Sequence, residues 1–334
     1  MNIAAEQKSN LSKTVLVLGA GGRLGQAATK AFAQAGWQVL AQARKPIHKG
    51  RWGNVRHIQA DALEVEAIAA QCGAVDVIVH ALNPDYARWE ELLPPQTAAV
   101  QALALKLDAV VMIPGNVYNF GQELPAVLTE TTPFVANTDK ARQRIAMEAS
   151  FAAAAESGLR TVVIRAGDFI GGSGTWLDMG IAKQLHKGVF TLMGPDHIAH
   201  AWAYLPDLAQ VFVKVAERRE QLAAYEVLHF PGYHTSQQDL QHGFESLLGH
   251  RLKRKAMPWS MMQIIAWFSP MLRAVLKMRY LWQRPHQLSG EKLMRLIGPI
   301  PQTPLKLALR EYLPKNKKSQ EQMPTEISLK TPNQ

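Results

Sequence analysis

Three observations predict an α/β chain in which a doubly wound parallel sheet carries a smaller carboxy-terminal lobe. Apolar strands alternate with helical segments through the first half, the first strand runs straight into regularly spaced glycines, and the alternation loosens after residue 166. A strand buried on both faces needs a continuous β-branched or leucine run, and Val15 to Leu18 supplies it. Gly19, Gly22 and Gly25 then suit a tight turn, a close backbone approach to an anion, and a close contact between helix and strand. The helical pattern at 26–34 places a helix N-terminus against this loop. The combination opens a Rossmann-type dinucleotide-binding domain. Its phosphate contacts would come from backbone N–H groups of the loop, with Arg23 and Leu24 lying between the last two glycines.

The later elements follow the same alternation. Strands are predicted at 37–43, 55–59 and 75–80, with a helix at 63–71 between the last two. A helix at 98–107, a strand at 109–113, an alanine-rich helix at 141–157 stopped by Gly158, and a strand at 161–165 come next. The sheet reads as essentially complete by residue 166. Gly171, Gly172 and Gly174 make a flexible turn, 208–219 reads as a helix with Asp207 as its cap, and 227–230 as a short strand. The organisation is therefore a nucleotide-binding domain at 13–170 and a mainly helical substrate lobe at 171–314, some of whose strands are free to rejoin the sheet. A polar tail at 315–334, rich in Lys, Gln, Ser and Pro, reads as disordered.

Composition sets the class. With 334 residues and 47% hydrophobic content, the chain is long enough for one large domain or two modest ones. Cys72 is the only cysteine, so no intrachain disulfide forms, and a reducing, cytoplasmic setting is expected. The polar start of the chain argues against a signal peptide, and no uninterrupted apolar run is long enough to span a bilayer. Charge is uneven: residues 251–334 hold 16 Lys and Arg against 4 Asp and Glu, while the rest is close to neutral. Such asymmetry suits either an acidic partner or a merely solvated basic face. No nucleic-acid-binding motif accompanies it.

Selectivity for NAD requires an Asp or Glu near the end of the second strand to accept from the ribose 2′-hydroxyl. Gln42-Ala43-Arg44-Lys45 stands there instead. A 2′-phosphate suits Arg44, with Arg23 as a second contact, so NADP is the expected cofactor over NAD. Asp61, after the third strand, is placed to accept from an adenine amino group or to cap the next helix.

The glycine loop, Asp61-Ala62, His80-Ala81-Leu82-Asn83-Pro84, Gly115-Asn116-Val117-Tyr118-Asn119-Phe120-Gly121 and Arg165-Ala166-Gly167-Asp168-Phe169-Ile170-Gly171 together resemble extended short-chain dehydrogenase/reductases of the epimerase/dehydratase type. The resemblance covers about residues 13–235, and Trp202 to Ala209 is similar to the segment that closes the substrate lobe in such proteins. It implies a nicotinamide cofactor lying across the strand ends, with Ala81 on the adenosine side and the turn around Gly167 on the nicotinamide side. It also implies a Tyr-x-x-x-Lys pair on the helix after the fifth strand, where the Lys lowers the phenol pKa.

This chain departs from that pair. None of its seven tyrosines has a lysine four residues later, and no tyrosine lies between Tyr118 and Tyr204. The positions align with Lys140 and Arg144, one helical turn apart. In one reading Lys140, its pKa lowered by Arg144 and the cofactor, donates a proton, Arg144 binds the ribose, and Asn116 replaces the usual hydroxyl. The chain is then an oxidoreductase or epimerase acting on an apolar carbonyl or hydroxyl compound. In the other the pair only holds cofactor, and the protein is a non-catalytic NAD(P)-binding regulator or redox sensor. A third view leaves both as solvated positions.

Tyr118 is expected at the rim of the site. His197 and His200 are expected to line the pocket, no metal site being supported by neighbouring ligands. The segment 257–282 reads as a helix kinked at Pro270, with a narrow polar stripe of Gln263, Ser269, Arg273 and Lys277 and a wide apolar arc. That arc is open to packing on the sheet domain and walling the substrate pocket, to peripheral membrane contact, or to a homodimer contact.

Overall fold

The computed structural model describes residues 13–47 and 53–313. The expected tail at 315–334 lies outside the described residues. From the amino end run β1 (Thr14–Leu18), α1 (Arg23–Gln34), β2 (Gln38–Ala43), β3 (Val55–Gln59), α2 (Val65–Cys72), β4 (Val77–His80), α3 (Trp89–Leu107), β5 (Val110–Gly115), β6 (Val127–Leu128), α4 (Asp139–Ala153) and β7 (Thr161–Arg165). Then come β8 (Asp168–Ile170), β9 (Val189–Leu192), β10 (Ala199–Tyr204), α5 (Leu205–Ala216), β11 (Tyr225–His229), β12 (Tyr233–Ser236) and α6 (Gln237–Leu248). The carboxy-terminal part holds β13 (Lys253–Ala256), α7 (Trp259–Ile265), α8 (Pro270–Leu276), β14 (Gln287–Leu288), α9 (Glu291–Ile297) and α10 (Leu305–Leu309).

Seven parallel strands form the central sheet in the order β11-β7-β5-β4-β1-β2-β3. Alternate residues of each strand enter opposite cores. Leu16 and Leu18 face α2, α3 and α4 with Ile68, Leu93, Val100 and Phe151. Val15 and Val17 face α1 and α5 with Phe32, Leu208 and Phe212. Burial on both faces is why these strands read as unbroken apolar runs. A third cluster, including Phe190, Trp202, Phe244, Trp259 and Trp282, forms the core of the smaller lobe.

The sheet is not complete at residue 166. β11 pairs with β7 along its whole length, Tyr225 opposite Thr161 through His229 opposite Arg165, so the second half of the chain supplies an edge of the first domain. The helix expected at 98–107 begins at Trp89 despite Pro94 and Pro95. Trp89 is buried and donates its indole N–H to the Pro84 carbonyl at 3.1 Å, an anchor that outweighs the two lost backbone donors. Asp207 is not a cap: α5 starts at Leu205, and the Asp207 carboxylate accepts from the Thr303 backbone N–H at 2.6 Å and hydroxyl at 2.8 Å. The segment 257–282 is two short helices rather than one kinked helix, because Pro270 opens α8 as its first residue and Ser269 caps it through Leu272 N–H. No described helix is long and apolar enough to cross a membrane.

Candidate active site

Gly19, Gly22 and Gly25 have distinct steric reasons. Gly19 takes φ +76°, and a Cβ at Gly25 would fall 2.2 Å from the Gly19 carbonyl oxygen, so α1 can begin directly on β1 only with glycine there. No side chain caps the N-terminus of α1, which leaves the backbone N–H groups of Arg23, Leu24 and Gly25 available to an anion. Gln42, buried at the end of β2, accepts from Gly19 N–H at 2.9 Å and donates to the Ala60 carbonyl at 2.7 Å, tying the loop to the next strand. Arg44 is exposed just beyond β2. Arg23 instead reaches the glycine turn, where a Cβ on Gly174 would meet its guanidinium at 2.7 Å, and its charge is felt at Tyr86.

Asp61 accepts from Leu63 N–H at 3.0 Å, while Glu64 occupies the cap position of α2. One carboxylate oxygen of Asp61 therefore serves the turn, with Ala62 buried beside it. The Ala81 carbonyl lies 3.0 Å from where a Gly19 Cβ would stand, which puts the end of β4 directly under the loop. Gly167 answers a packing demand, since a Cβ there would fall 2.0 Å from the Ala201 carbonyl oxygen of β10.

At the carboxyl ends of β4, β5 and β8 several polar groups converge. Tyr118 is not on the rim: it is buried, and its hydroxyl pairs with that of Tyr86 at 2.8 Å. Burial raises the pKa of both phenols, well above the ordinary value for Tyr118, so both remain protonated at neutral pH. The carboxylate of Asp168 lies within electrostatic reach of Tyr86, Tyr118, Tyr280 and His286. Asn116 accepts through Oδ1 from Tyr118 N–H at 2.9 Å, which leaves its amide N–H₂ as its remaining donor.

Lys140 and Arg144 do share one face of α4, and both are buried rather than solvated. The Lys140 ammonium stands 4.5 Å above the Trp89 ring, donates to the Tyr86 carbonyl, and donates to Gln143 Oε1 at 3.2 Å. Its pKa falls to about 8, and the cause is burial, with Lys277 adding to it and Asp139 opposing, not the Arg144 charge expected from sequence. Arg144 donates to the Pro114 carbonyl at 2.7 Å and lies 4.0 Å from Glu148.

Sequence reasoning missed Tyr86, Trp89, Glu148 and Arg165. Arg165 is wholly buried, bonded to both Glu148 carboxylate oxygens at 2.7 and 3.3 Å and to the Asn116 carbonyl at 2.5 Å. Its signal was present as a charge ending an otherwise apolar strand, with Glu148 four residues after Arg144. His80, beside Arg144, has no partner on either ring nitrogen among the described residues, and burial followed by that charge lowers its pKa to about 3. His200 is buried, its ring stacked on Trp202 at 4.6 Å and on His286 at 5.6 Å, while His197 is exposed. Among the described residues no group of three or more His, Cys, Asp or Glu is placed to hold a metal.

A model of the NAD dependent epimerase/dehydratase family matches residues 15–229. A search of curated protein sequences finds no match. Among solved structures the chain is similar to a UDP-glucose 4-epimerase from Brucella ovis in complex with NAD, at 16% identity and TM-score 0.72, covering 90% of this chain and 97% of that one. It is similar to a UDP-glucuronic acid 4-epimerase from Bacillus cereus in complex with NAD, at 15% identity and TM-score 0.69, covering 89% and 96%. A UDP-glucose-4-epimerase from Stenotrophomonas maltophila with bound NAD and formylated UDP-arabinopyranose gives 16% identity and TM-score 0.70 over 90% and 96%.

Proposed function

Because the chain belongs to the NAD dependent epimerase/dehydratase family, we propose that it is an NADP-dependent oxidoreductase acting on an apolar carbonyl or hydroxyl compound, with Lys140 where the family has its phenol. The observation that carries this reading is a buried ammonium with a pKa of about 8, set beside a buried hydroxyl pair at the strand ends where open α/β sheets bind ligands. The loop cradle fits a dinucleotide: the space a Gly25 Cβ would fill is taken by the loop backbone, and the uncapped first turn of α1 offers N–H donors for a pyrophosphate. Arg44 would receive a 2′-phosphate, and Asp61, Ala62 and Ala81 would flank the adenosine, with Gly167 near the other end. When bound, the nicotinamide gives or takes the hydride.

The chain's own residues handle the proton. Two of the three ammonium protons of Lys140 are held by the Tyr86 carbonyl and Gln143, and the third is free for a substrate oxygen. In the reducing direction Lys140 gives that oxygen a proton, and in the oxidising direction it takes one back. Asn116 and the Tyr86–Tyr118 pair orient the oxygen, and Trp89 and Tyr280 supply apolar walls, less suited to the nucleotide sugar named for one solved relative. A second reading rests on Arg144, whose guanidinium is committed to the Pro114 carbonyl. In it Arg144 braces the end of β5, Lys140 alone meets the cofactor, and the protein is a non-catalytic NADP-binding regulator.

NADPH and NADH titrations followed by turnover with a panel of aldehydes and ketones separate the two. Turnover should fall as pH rises through about 8, where Lys140 loses its proton, and this slope should vanish in Lys140→Ala along with most of the rate, by about 10²-fold or more. An effect of Lys140→Ala on affinity alone, with no turnover on any substrate, establishes the regulator. Arg44→Asp should lower the NADPH to NADH affinity ratio at least about tenfold, and an unchanged ratio refutes the NADP preference.

A further inference from the structure

The apolar arc of 257–282 is only half covered. Trp259 anchors α7 by donating its indole N–H to the Met193 carbonyl at 2.9 Å, and Ala274, Met278, Leu281 and Trp282 are buried. The joint between α7 and α8 is bare instead: Phe268 is 88% exposed, Trp267 84%, Ile264 70% and Met261 55%. Isolated surface hydrophobes are ordinary, but two adjacent aromatics with aliphatic neighbours at the tip of a helix–proline–helix turn are not. Between the helices lies a hollow of about 570 Å³ lined by Gln263, Ala266, Trp267, Arg273, Leu276 and Lys277.

Charge identifies what covers this tip. From Arg251 to Gly290 the chain has eight Lys and Arg and no Asp or Glu. Lys277 is paired with Asp139 and Arg254 with Asp196, whereas Lys253, Lys255, Arg273, Arg279 and Arg284 have no carboxylate partner among the described residues. A second copy docking through the same patch would bring these like charges together across a two-fold axis. An anionic bilayer offers the opposite charge at its surface and an apolar layer just beneath it, matched to exposed Trp and Phe flanked by Lys and Arg.

We propose that the tip formed by α7 and α8 docks the protein on an anionic lipid surface, with Trp267 and Phe268 inserted among the headgroups and Arg273 on the phosphates. The docking stands apart from the chemistry of the site, but adds to it. α8 packs against the Tyr86–Arg88 turn, and the Lys277–Asp139 pair adjoins Lys140, so a docked tip forms one wall of the active-site mouth. An apolar substrate dissolved in the bilayer would then reach Lys140 without crossing water.

The test is flotation of the full chain with phosphatidylcholine vesicles, with and without phosphatidylglycerol. The wild-type protein should float with the anionic vesicles and be released by salt. Trp267→Ser with Phe268→Ser should weaken partitioning at least about tenfold, and Arg273→Gln roughly fivefold, all with unchanged NADPH affinity. Absence of wild-type flotation, or equal flotation of the variants, overturns the proposal. Light scattering that finds a dimer in the wild type and a monomer in the double aromatic variant, without vesicle binding, assigns the patch to a second copy. Vesicle binding without NADPH binding keeps the docking and ends the cofactor reading.

Discussion

Two guanidinium groups, Arg144 and Arg165, share one buried carboxylate, Glu148, under the floor of the active site. The rings of Phe120 and Phe134, 5.3 and 5.2 Å from the Arg165 guanidinium, keep water from it, so its charge is balanced almost entirely by Glu148. Removing one partner of a buried ion pair leaves the other uncompensated in a medium of low polarity. Glu148→Ala should therefore cost about 3–5 kcal/mol of stability in urea unfolding. A loss below about 1 kcal/mol would mean that the Arg165 charge is met elsewhere, as only a surface pair would allow. His80 stays neutral beside Phe151, chiefly because it is buried and secondarily because the Arg144 charge opposes a second cation there. Lys140 and Arg144 were legible in the sequence from their spacing on one helix. Tyr86 and Trp89 were not, because they sit at a turn and the helix start that follows it, whose path is fixed by a contact, the Trp89 indole on the Pro84 carbonyl, that no periodicity announces.

Among the elements, those set by local chemistry were legible and those set by distant contacts were not. β3 and β7 match the expected ranges residue for residue, and Gly25 is required by the contact its spacing implied. The alanine-rich helix, expected to run to Ser157, leaves the α-helical path after Ala153 and ends in a tighter turn, Ala154–Ser157, before Gly158 at φ +88°. α5 begins three residues earlier than expected because Asp207 is drawn to Thr303, nearly a hundred residues away, rather than to its own helix end. Proline has opposite effects in two helices. Pro94 and Pro95 are tolerated inside a long helix held by a buried indole, whereas Pro270, with no such anchor beside it, divides 257–282 and leaves Trp267 and Phe268 at the joint.

Over the whole molecule, the sheet domain and the smaller lobe do not follow the order of the chain. β11, from the second part, hydrogen-bonds to β7 of the first, and the carboxy-terminal strap returns to β8, β10 and α5 through Tyr312 on Gly171, Glu311 on Tyr204 and Thr303 on Asp207. Elements so interleaved lose their packing together, so scanning calorimetry should give a single unfolding transition with equal calorimetric and van't Hoff enthalpies. Two resolved transitions would show that the lobe unfolds independently of the sheet. Fold class was readable because the parallel core is written locally, strand by strand. The closure of the sheet was legible only as a strand free to rejoin it, because β11 is a short half-buried edge whose partner lies 64 residues upstream, Tyr225 opposite Thr161.

That closing strand also constrains synthesis. When a ribosome has released the chain only as far as Arg165, the outer edge of β7 presents unpaired N–H and C=O groups to solvent. The nascent protein must hold this adhesive edge open until Tyr225 to His229 emerge, an interval of several seconds at ordinary elongation rates. The order of translation therefore leaves the β7 edge of the sheet as the last to be paired, and the window before β11 arrives is when the chain is most exposed to aggregation and to chaperones.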